Sequence, residues 1–171
     1  EEIVRIFGDW EGPKKIGVKD NETFIKNLIT EVNLKLPHVE LYPGVRETLT
    51  KLKNINKKIA VITSSKKSSI LPAFKNLQLE NFFDVLLTEE DVVKHKPDPE
   101  IVNKSMSLLK AIKNETIIVG DNQRDIQAGQ AAKITTSLFF PKENERFYKL
   151  SELMAYKPDY IFSDFPELLT I

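Results

Sequence analysis

The sequence contains no cysteine and only two histidines, His38 and His95. Without cysteine, the chain has no disulfides, no thiolate metal ligands and no cysteine nucleophile. Two histidines are too few for a histidine-rich zinc site. Any functional chemistry therefore has to come from other side chains.

The sequence also lacks a net charge, because 25 basic residues balance 25 acidic ones among its 171 residues. A neutral chain has no overall field that attracts nucleic acid or an acidic membrane surface. No apolar run approaches the roughly 20 residues that cross a bilayer, and no signal-peptide core stands at the start. We therefore expect a cytoplasmic protein that binds neither nucleic acid nor membrane.

Short apolar runs alternate with helical patterns from residue 59 onwards. Such runs, without polar alternation, are typical of parallel strands that are covered on both faces. The pattern predicts an α/β fold with a Rossmann-like open parallel sheet and helices on both faces. The predicted strands are Ile59–Ile62, Phe82–Leu87, Thr116–Gly120, Ser137–Phe140 and Tyr160–Phe162.

Amphipathic spacing predicts the helices. One covers Glu22–Leu36 with Asn21 as its N-cap, and another runs from Val45 to about Asn54. A later helix is expected to open with Asp98 as N-cap and Pro99 at its first position. Further helices are predicted around residues 70–77 and 123–132. Two prolines and a glycine in residues 37–44 place a boundary between residues 1–40 and residues 41–171.

Candidate functional residues follow the predicted strands, where ligands bind in open α/β sheets. Thr63 and Ser64 come after the first strand, at the start of a helix whose free N–H groups suit a phosphate. The same two hydroxyls are also ordinary helix caps. Asp121 and Asp125 follow the strand that ends at Gly120 and lie on one side of a helical turn.

The two aspartates and one lysine have a functional and a structural interpretation. Two carboxylates at such a turn suit Mg²⁺, which prefers one or two carboxylates plus water and phosphate. Acidic residues there also complement the helix dipole. Pro97 keeps Lys96 out of helical conformation, so the lysine extends from a loop toward an anion, or simply toward solvent. Together these residues describe a Mg²⁺–phosphate site.

These segments resemble the motifs of the haloacid dehalogenase-like superfamily of phosphohydrolases. Ile59–Thr63 resembles the second motif, and Lys96–Pro99 resembles the Lys-Pro-x-Pro loop of the third. Ile117–Gly129 resembles the fourth motif, Gly-Asp-x-x-x-Asp-x-x-Ala-Gly. Tyr42–Val45 is similar to the segment that joins cap and core in phosphoglycolate phosphatase-like members. Residues 1–36 resemble the later part of the helical cap.

The first motif of this superfamily, Asp-x-Asp-Gly-Thr after an apolar strand, has no clear counterpart here. Its nearest match is Asp9–Gly12, in which Glu11 stands at the place of the last acid and the following Pro13 at the place of the threonine. The nucleophilic aspartate and its central strand are therefore expected to be absent from this chain. Two apolar strands would then lack the neighbour that pairs their backbone groups.

The resemblance implies a Mg²⁺-dependent phosphatase that acts on a small phosphorylated metabolite through an aspartyl-phosphate. In this interpretation Thr63, Ser64 and Lys96 bind the phosphoryl group, Thr63 and Lys96 also assist catalysis, and Asp121 and Asp125 bind magnesium. The chain is expected to be a monomer or a weak homodimer. A catalytically inactive binding or assembly domain, and a phosphomutase or dehalogenase on the same fold, remain as alternatives.

Overall fold

The computed structural model describes residues 12–171, and its strands are all parallel. The strands are β1 (Ala60–Ile62), β2 (Val85–Leu87), β3 (Ile117–Gly120), β4 (Thr135–Phe139) and β5 (Tyr160–Phe162). The helices are α1 (Gly12–Lys15), α2 (Asn21–Lys35), α3 (Val45–Asn54), α4 (Lys67–Asn76), α5 (Glu100–Leu109), α6 (Gln123–Ala132) and α7 (Leu150–Met154). The predicted α/β fold is confirmed.

The parallel strands form two separate sheets. One sheet has the order β1–β2, and the other has the order β3–β4–β5. Within residues 12–171, no strand pairs with the second edge of β1 or of β3. In the described residues, β1 and β3 therefore each have one unpaired edge, as expected for two apolar strands that lack a common neighbour. The interruption between these two edges is called the break below.

Helices cover both faces of the strands, as predicted. On one face, α5 and α6 contribute Ile101, Val102 and Ala128 to a core that includes Leu87 of β2 and Ile118 of β3, so this core joins the two sheets. A second cluster packs α3 against α4 and the segment after β5, through Val45, Leu49, Phe74 and Phe165.

Four local predictions need correction at their ends. The N-cap of α2 is Asp20 and not Asn21, because the Asp20 carboxylate accepts a hydrogen bond from the Thr23 N–H at 3.0 Å. Helix α5 begins at Glu100, one residue later than predicted, although Asp98 still accepts from the Glu100 N–H. The strand expected from Phe82 starts at Val85, since Glu80–Phe82 forms a 3₁₀ turn. Strand β4 begins at Thr135, two residues earlier than expected.

Three further expectations concern membrane crossing, the first motif and the boundary between the two parts of the chain. None of the helices in residues 12–171 has the length and apolar character that crossing a bilayer requires. The possible first-motif residue Asp9 lies outside the described residues. The boundary between residues 1–40 and 41–171 stays a prediction.

Candidate functional site

The candidate residues gather where the strands end. Thr63 directly follows β1, and Lys96 lies in the loop between β2 and α5. Asp121 follows β3, and Asp125 lies in the first turn of α6. Since all strands are parallel, these positions share the carboxyl end of the fold, where open α/β sheets bind ligands.

Lys96 connects the two halves of this region. Its Nζ atom lies 2.7 Å from Asp125 Oδ1 and 3.4 Å from the carbonyl oxygen of Ile62. Both charged side chains are largely buried, with 10% exposure for Lys96 and 9% for Asp125. The lysine thus bridges the end of β1 and the start of α6, across the break between the sheets.

The contact with Ile62 has a structural reason. The Thr63 N–H donates to the Leu87 carbonyl of β2 at 3.0 Å, so the backbone of Thr63 faces β2. Because successive residues of a strand point in opposite directions, the backbone of Ile62 faces away from β2, toward the break. The ammonium of Lys96 therefore donates to a carbonyl group that β2 leaves unpaired.

The absence of a side chain at Gly120 leaves the space that the Asp125 side chain occupies. A Cβ atom at residue 120 would lie 2.2 Å from Asp125 Cβ and 2.5 Å from its Oδ2. Any larger residue would therefore displace the carboxylate that pairs with Lys96. The glycine is needed here because a functional side chain approaches the backbone closely.

Asp121 and Asp125 have different electrostatic surroundings. Asp125 is buried and paired with Lys96, whereas the Asp121 side chain is exposed to solvent. Neighbouring atoms still displace part of the hydration of Asp121, which raises its pKa, and the negative charge of Asp125 raises the pKa further. Two neighbouring carboxylates whose repulsion is only partly balanced are a favourable place for a cation.

This donor set fits a magnesium ion. Both side chains offer carboxylate oxygen atoms, and Mg²⁺ takes one or two carboxylates with water and phosphate at its remaining positions. Residues 12–171 hold no group of three or more acidic, histidine or cysteine side chains suited to a metal. If a magnesium ion binds here, the described part would provide two carboxylate ligands, and water, substrate or another segment would provide the others.

The predicted hydroxyl groups lie at the same end of β1. Thr63 Oγ1 accepts from the Ser65 N–H at 3.1 Å, which tightens the turn leading to α4. Thr63 is half-buried, and Ser64 is exposed. Since Thr63 directly follows Ile62, its backbone is adjacent to the carbonyl that Lys96 contacts.

Several residues near the aspartates were not singled out from the sequence. Asn122 is the N-cap of α6, and its Nδ2 donates to Asp121 Oδ1 at 3.0 Å. Asparagine before a helix is a recognisable N-cap signal. Burial raises the pKa of both Tyr42 and Tyr148. Negative charge raises it further, from Glu143 and then Asp121 for Tyr42 and from Asp121 for Tyr148. The sequence placed Tyr42 only in the segment that joins cap and core and did not mark Tyr148, because both tyrosines reach the site from distant parts of the chain.

The described residues form a Rossmann-like parallel α/β domain with a lysine and two carboxylates at the carboxyl end of its strands. The model of the haloacid dehalogenase-like hydrolase family matches residues 2–139. The chain therefore belongs to the haloacid dehalogenase-like hydrolases, as its motifs indicate.

Individual relatives support this assignment. The chain is 39% identical over 133 residues to the pyrophosphatase PpaX of Bacillus mycoides, covering 78% of this chain and 60% of the relative. A structure from Bacteroides fragilis, described as a "putative haloacid dehalogenase-like hydrolase", has a TM-score of 0.81 and 28% identity, with coverage of 98% of this chain and 81% of the other. A "putative beta-phosphoglucomutase" from Thermotoga maritima shares the fold, with a TM-score of 0.77, 24% identity and coverage of 97% and 80%.

Proposed function

We propose that this chain is part of a Mg²⁺-dependent phosphatase that hydrolyses a small phosphorylated metabolite through an aspartyl-phosphate. The observation that carries the proposal is the buried contact of Lys96 with Asp125 and with the Ile62 carbonyl. A buried ammonium at the open end of a parallel sheet is placed to neutralise a phosphoryl group that enters there.

Each residue has a role in this proposal. The Thr63 hydroxyl and the Ser64 side chain would hold the phosphoryl oxygens, and Lys96 would balance their charge and that of the nucleophile. Asp121 and Asp125 would hold magnesium, directly or through water. When bound, the ion supplies charge stabilisation to the transferring phosphoryl group.

The nucleophilic aspartate is not evident in this chain, and we propose that an additional segment carries it. The break between β1 and β3 is a suitable place for that segment. An extended strand there would pair with the free edges of both sheets and would end beside Lys96.

Inorganic pyrophosphate is the first substrate to test, since a relative with 39% identity is named a pyrophosphatase. The chain spans 60% of that relative's length, so substrate and activity are proposals for the complete protein. The predictions of a cytoplasmic location and of a monomer or weak homodimer also remain to be tested.

The test compares variants of the complete gene product, with any upstream segment included. Lys96→Ala should lower Mg²⁺-dependent phosphate release by 10²-fold or more, the order expected for loss of one charge-stabilising group. Lys113→Ala, which removes an exposed lysine at the opposite end of β3, should leave turnover unchanged. Equal turnover in both variants would show that Lys96 has no catalytic role.

The alternatives predict other results in the same assay. A binding or assembly domain would release no phosphate from any phosphorylated metabolite, with or without Mg²⁺. A phosphomutase would transfer the phosphoryl group between sugar phosphates, and a dehalogenase would release halide. The unpaired strand edges favour a binding or assembly domain only if no upstream segment carries an Asp-x-Asp sequence.

A further inference from the structure

The loop that carries Lys96 has little support from apolar packing. It joins β2 to α5 through residues 88–99, and Val92 is its last side chain to pack against the core before the lysine. Val93 is 87% exposed, and the next two side chains, Lys94 and His95, are also exposed. Something other than side-chain burial therefore has to hold the backbone in front of Lys96.

Glu100 supplies that support. Its Oε1 atom accepts from the Val93 N–H at 2.9 Å, and its Oε2 atom accepts from the Lys94 N–H, also at 2.9 Å. Each carboxylate oxygen thus binds one backbone group of the exposed segment. These two hydrogen bonds are the main causes that lower the pKa of Glu100, so the carboxylate stays charged at neutral pH.

Hydrogen bonds also fix the loop backbone on the C-terminal side of Lys96. Asp98 Oδ1 accepts from the Glu100 N–H at 3.0 Å, and the Asp98 N–H donates to the His95 carbonyl at 3.0 Å. Glu100 therefore fixes the backbone near Lys96 in two ways. Its carboxylate holds Val93 and Lys94, and its N–H binds Asp98, which in turn binds His95. Helix α5, whose next residues Ile101 and Val102 are fully buried, anchors these hydrogen bonds to the core.

We propose that Glu100 is a positioning residue for Lys96: its carboxylate fixes the loop backbone so that the ammonium reaches Asp125 and the Ile62 carbonyl. The functional importance of this role rests on the proposed function, because that proposal makes Lys96 a phosphate-binding group. The physical coupling between Glu100 and Lys96 is independent of it.

A lysine needs such support more than a shorter side chain does. Its ammonium stands at the end of four rotatable bonds, so a shift of the backbone is passed on to the charge. A misplacement of about 1 Å at a reacting centre can cost about 100-fold in rate. Fixing the backbone on both sides of Lys96 limits this error without touching the substrate.

The competing explanation is that Glu100 only stabilises the first turn of α5, as acidic residues commonly do. Glu167 provides a matched control for that effect. Its Oε1 accepts from the Ser163 and Asp164 N–H groups at 3.1 and 2.8 Å, at the start of the 3₁₀ segment Phe165–Thr170. Removing either carboxylate therefore loses two comparable backbone hydrogen bonds, but only Glu100 binds the loop of Lys96.

The experiment uses Glu100→Ala, Glu100→Gln and Glu167→Ala in the complete gene product, with Lys96→Ala to assign the Lys96 ammonium signal in ¹⁵N-detected NMR. Glu100→Ala and Glu167→Ala should lower the melting temperature to a similar extent. Only Glu100→Ala should shift or broaden the Lys96 signal and lower kcat for phosphate release by about 100-fold. Glu100→Gln should fall between wild type and alanine, because glutamine keeps one acceptor oxygen and replaces the other with an NH₂ group, which cannot accept from the second N–H group.

The proposal is overturned if Glu100→Ala leaves the Lys96 signal and kcat as Glu167→Ala leaves them. A different failure identifies the proposed function as the error. If Lys96→Ala itself retains full turnover, then Lys96 is not catalytic, while the NMR comparison still decides whether Glu100 positions it.

Discussion

Asp121 and Asp125 lie four residues apart, yet in the described part of the chain only Asp125 forms an ion pair. Lys96 balances the charge of Asp125. The pKa of Asp121 is raised instead, first by the loss of hydration and then by the negative charge of Asp125. The raised pKa of Asp121 means that the folded protein binds its proton more tightly than the unfolded chain does. Ionised Asp121 therefore lowers the stability of the metal-free protein.

We expect Asp121→Asn to raise the melting temperature of the metal-free protein at pH 7 and to abolish the stabilisation by added Mg²⁺. The destabilisation by ionised Asp121 disappears as the pH falls through its raised pKa, so the difference between the two proteins should shrink at acid pH. Thermal unfolding in EDTA and in Mg²⁺ at several pH values measures both effects.

Asp84→Asn is a control of opposite sign. The ion pair with Lys53 and the hydrogen bond from the Ile59 N–H lower the pKa of Asp84, so its ionised form stabilises the fold. Asp84→Asn should therefore lower the melting temperature at pH 7. If Asp121→Asn also lowered the melting temperature, the inference that ionised Asp121 destabilises the metal-free protein would be wrong.

At the scale of single elements, one carboxylate just before β5 binds a buried residue of β4. Asp159 Oδ2 accepts from the Thr136 N–H and from Thr136 Oγ1, both at 2.8 Å, and the Asp159 N–H donates to Thr136 Oγ1 at 3.1 Å. Thr136 is fully buried in the middle strand of its sheet. Its polar groups therefore have no access to water if the carboxylate is lost.

Asp159→Ala should destabilise the protein by about 1–3 kcal/mol, the usual cost of a buried group without a partner. The hydrogen bonds from Thr136 lower the pKa of Asp159, so its contribution is present above the unfolded pKa and is lost as the pH falls through the folded one. Urea unfolding at pH 7 and at acid pH measures this, with the exposed Glu115→Ala as control. A cost that is equal at both pH values would rule out the charged form as its source.

Prediction at the element scale succeeded where the signal was local. The apolar runs located the five strands found in residues 12–171, and the bounds of α3, α6 and β5 agree with the expected ones. The errors occurred at caps and strand ends, where neighbouring residues offer equivalent choices. Asp20 and Asn21 are both good N-caps, and only the geometry of the chain entering α2 decides between them.

For the molecule as a whole, the break between β1 and β3 has a consequence for backbone dynamics. Alternation along each strand directs the backbone of Ala60 and Ile62 away from β2, and that of Ile117 and Val119 away from β4. No strand within residues 12–171 receives these groups. Their exchange with solvent therefore depends on whether another segment fills the break.

Hydrogen exchange of this 171-residue chain should be faster at the amides of Ala60, Ile62, Ile117 and Val119 than at Val61 and Ile118. The last two amides face a paired strand and serve as controls within the same molecule. Strong protection at all six amides would show that a segment outside the described residues pairs with both edges. Adding the upstream part of the gene product should produce that protection if it contains the missing strand.

The sequence by itself determined the order of strands and helices, the family, and the types of residue at the strand ends. These follow from apolar runs, turn residues and motif spacing, which act between close neighbours along the chain. Only the tertiary structure decided that Lys96 pairs with Asp125, 29 residues away, and that it also binds the unpaired carbonyl of Ile62. Such contacts depend on how separate elements pack together, and no local pattern encodes the distance between them.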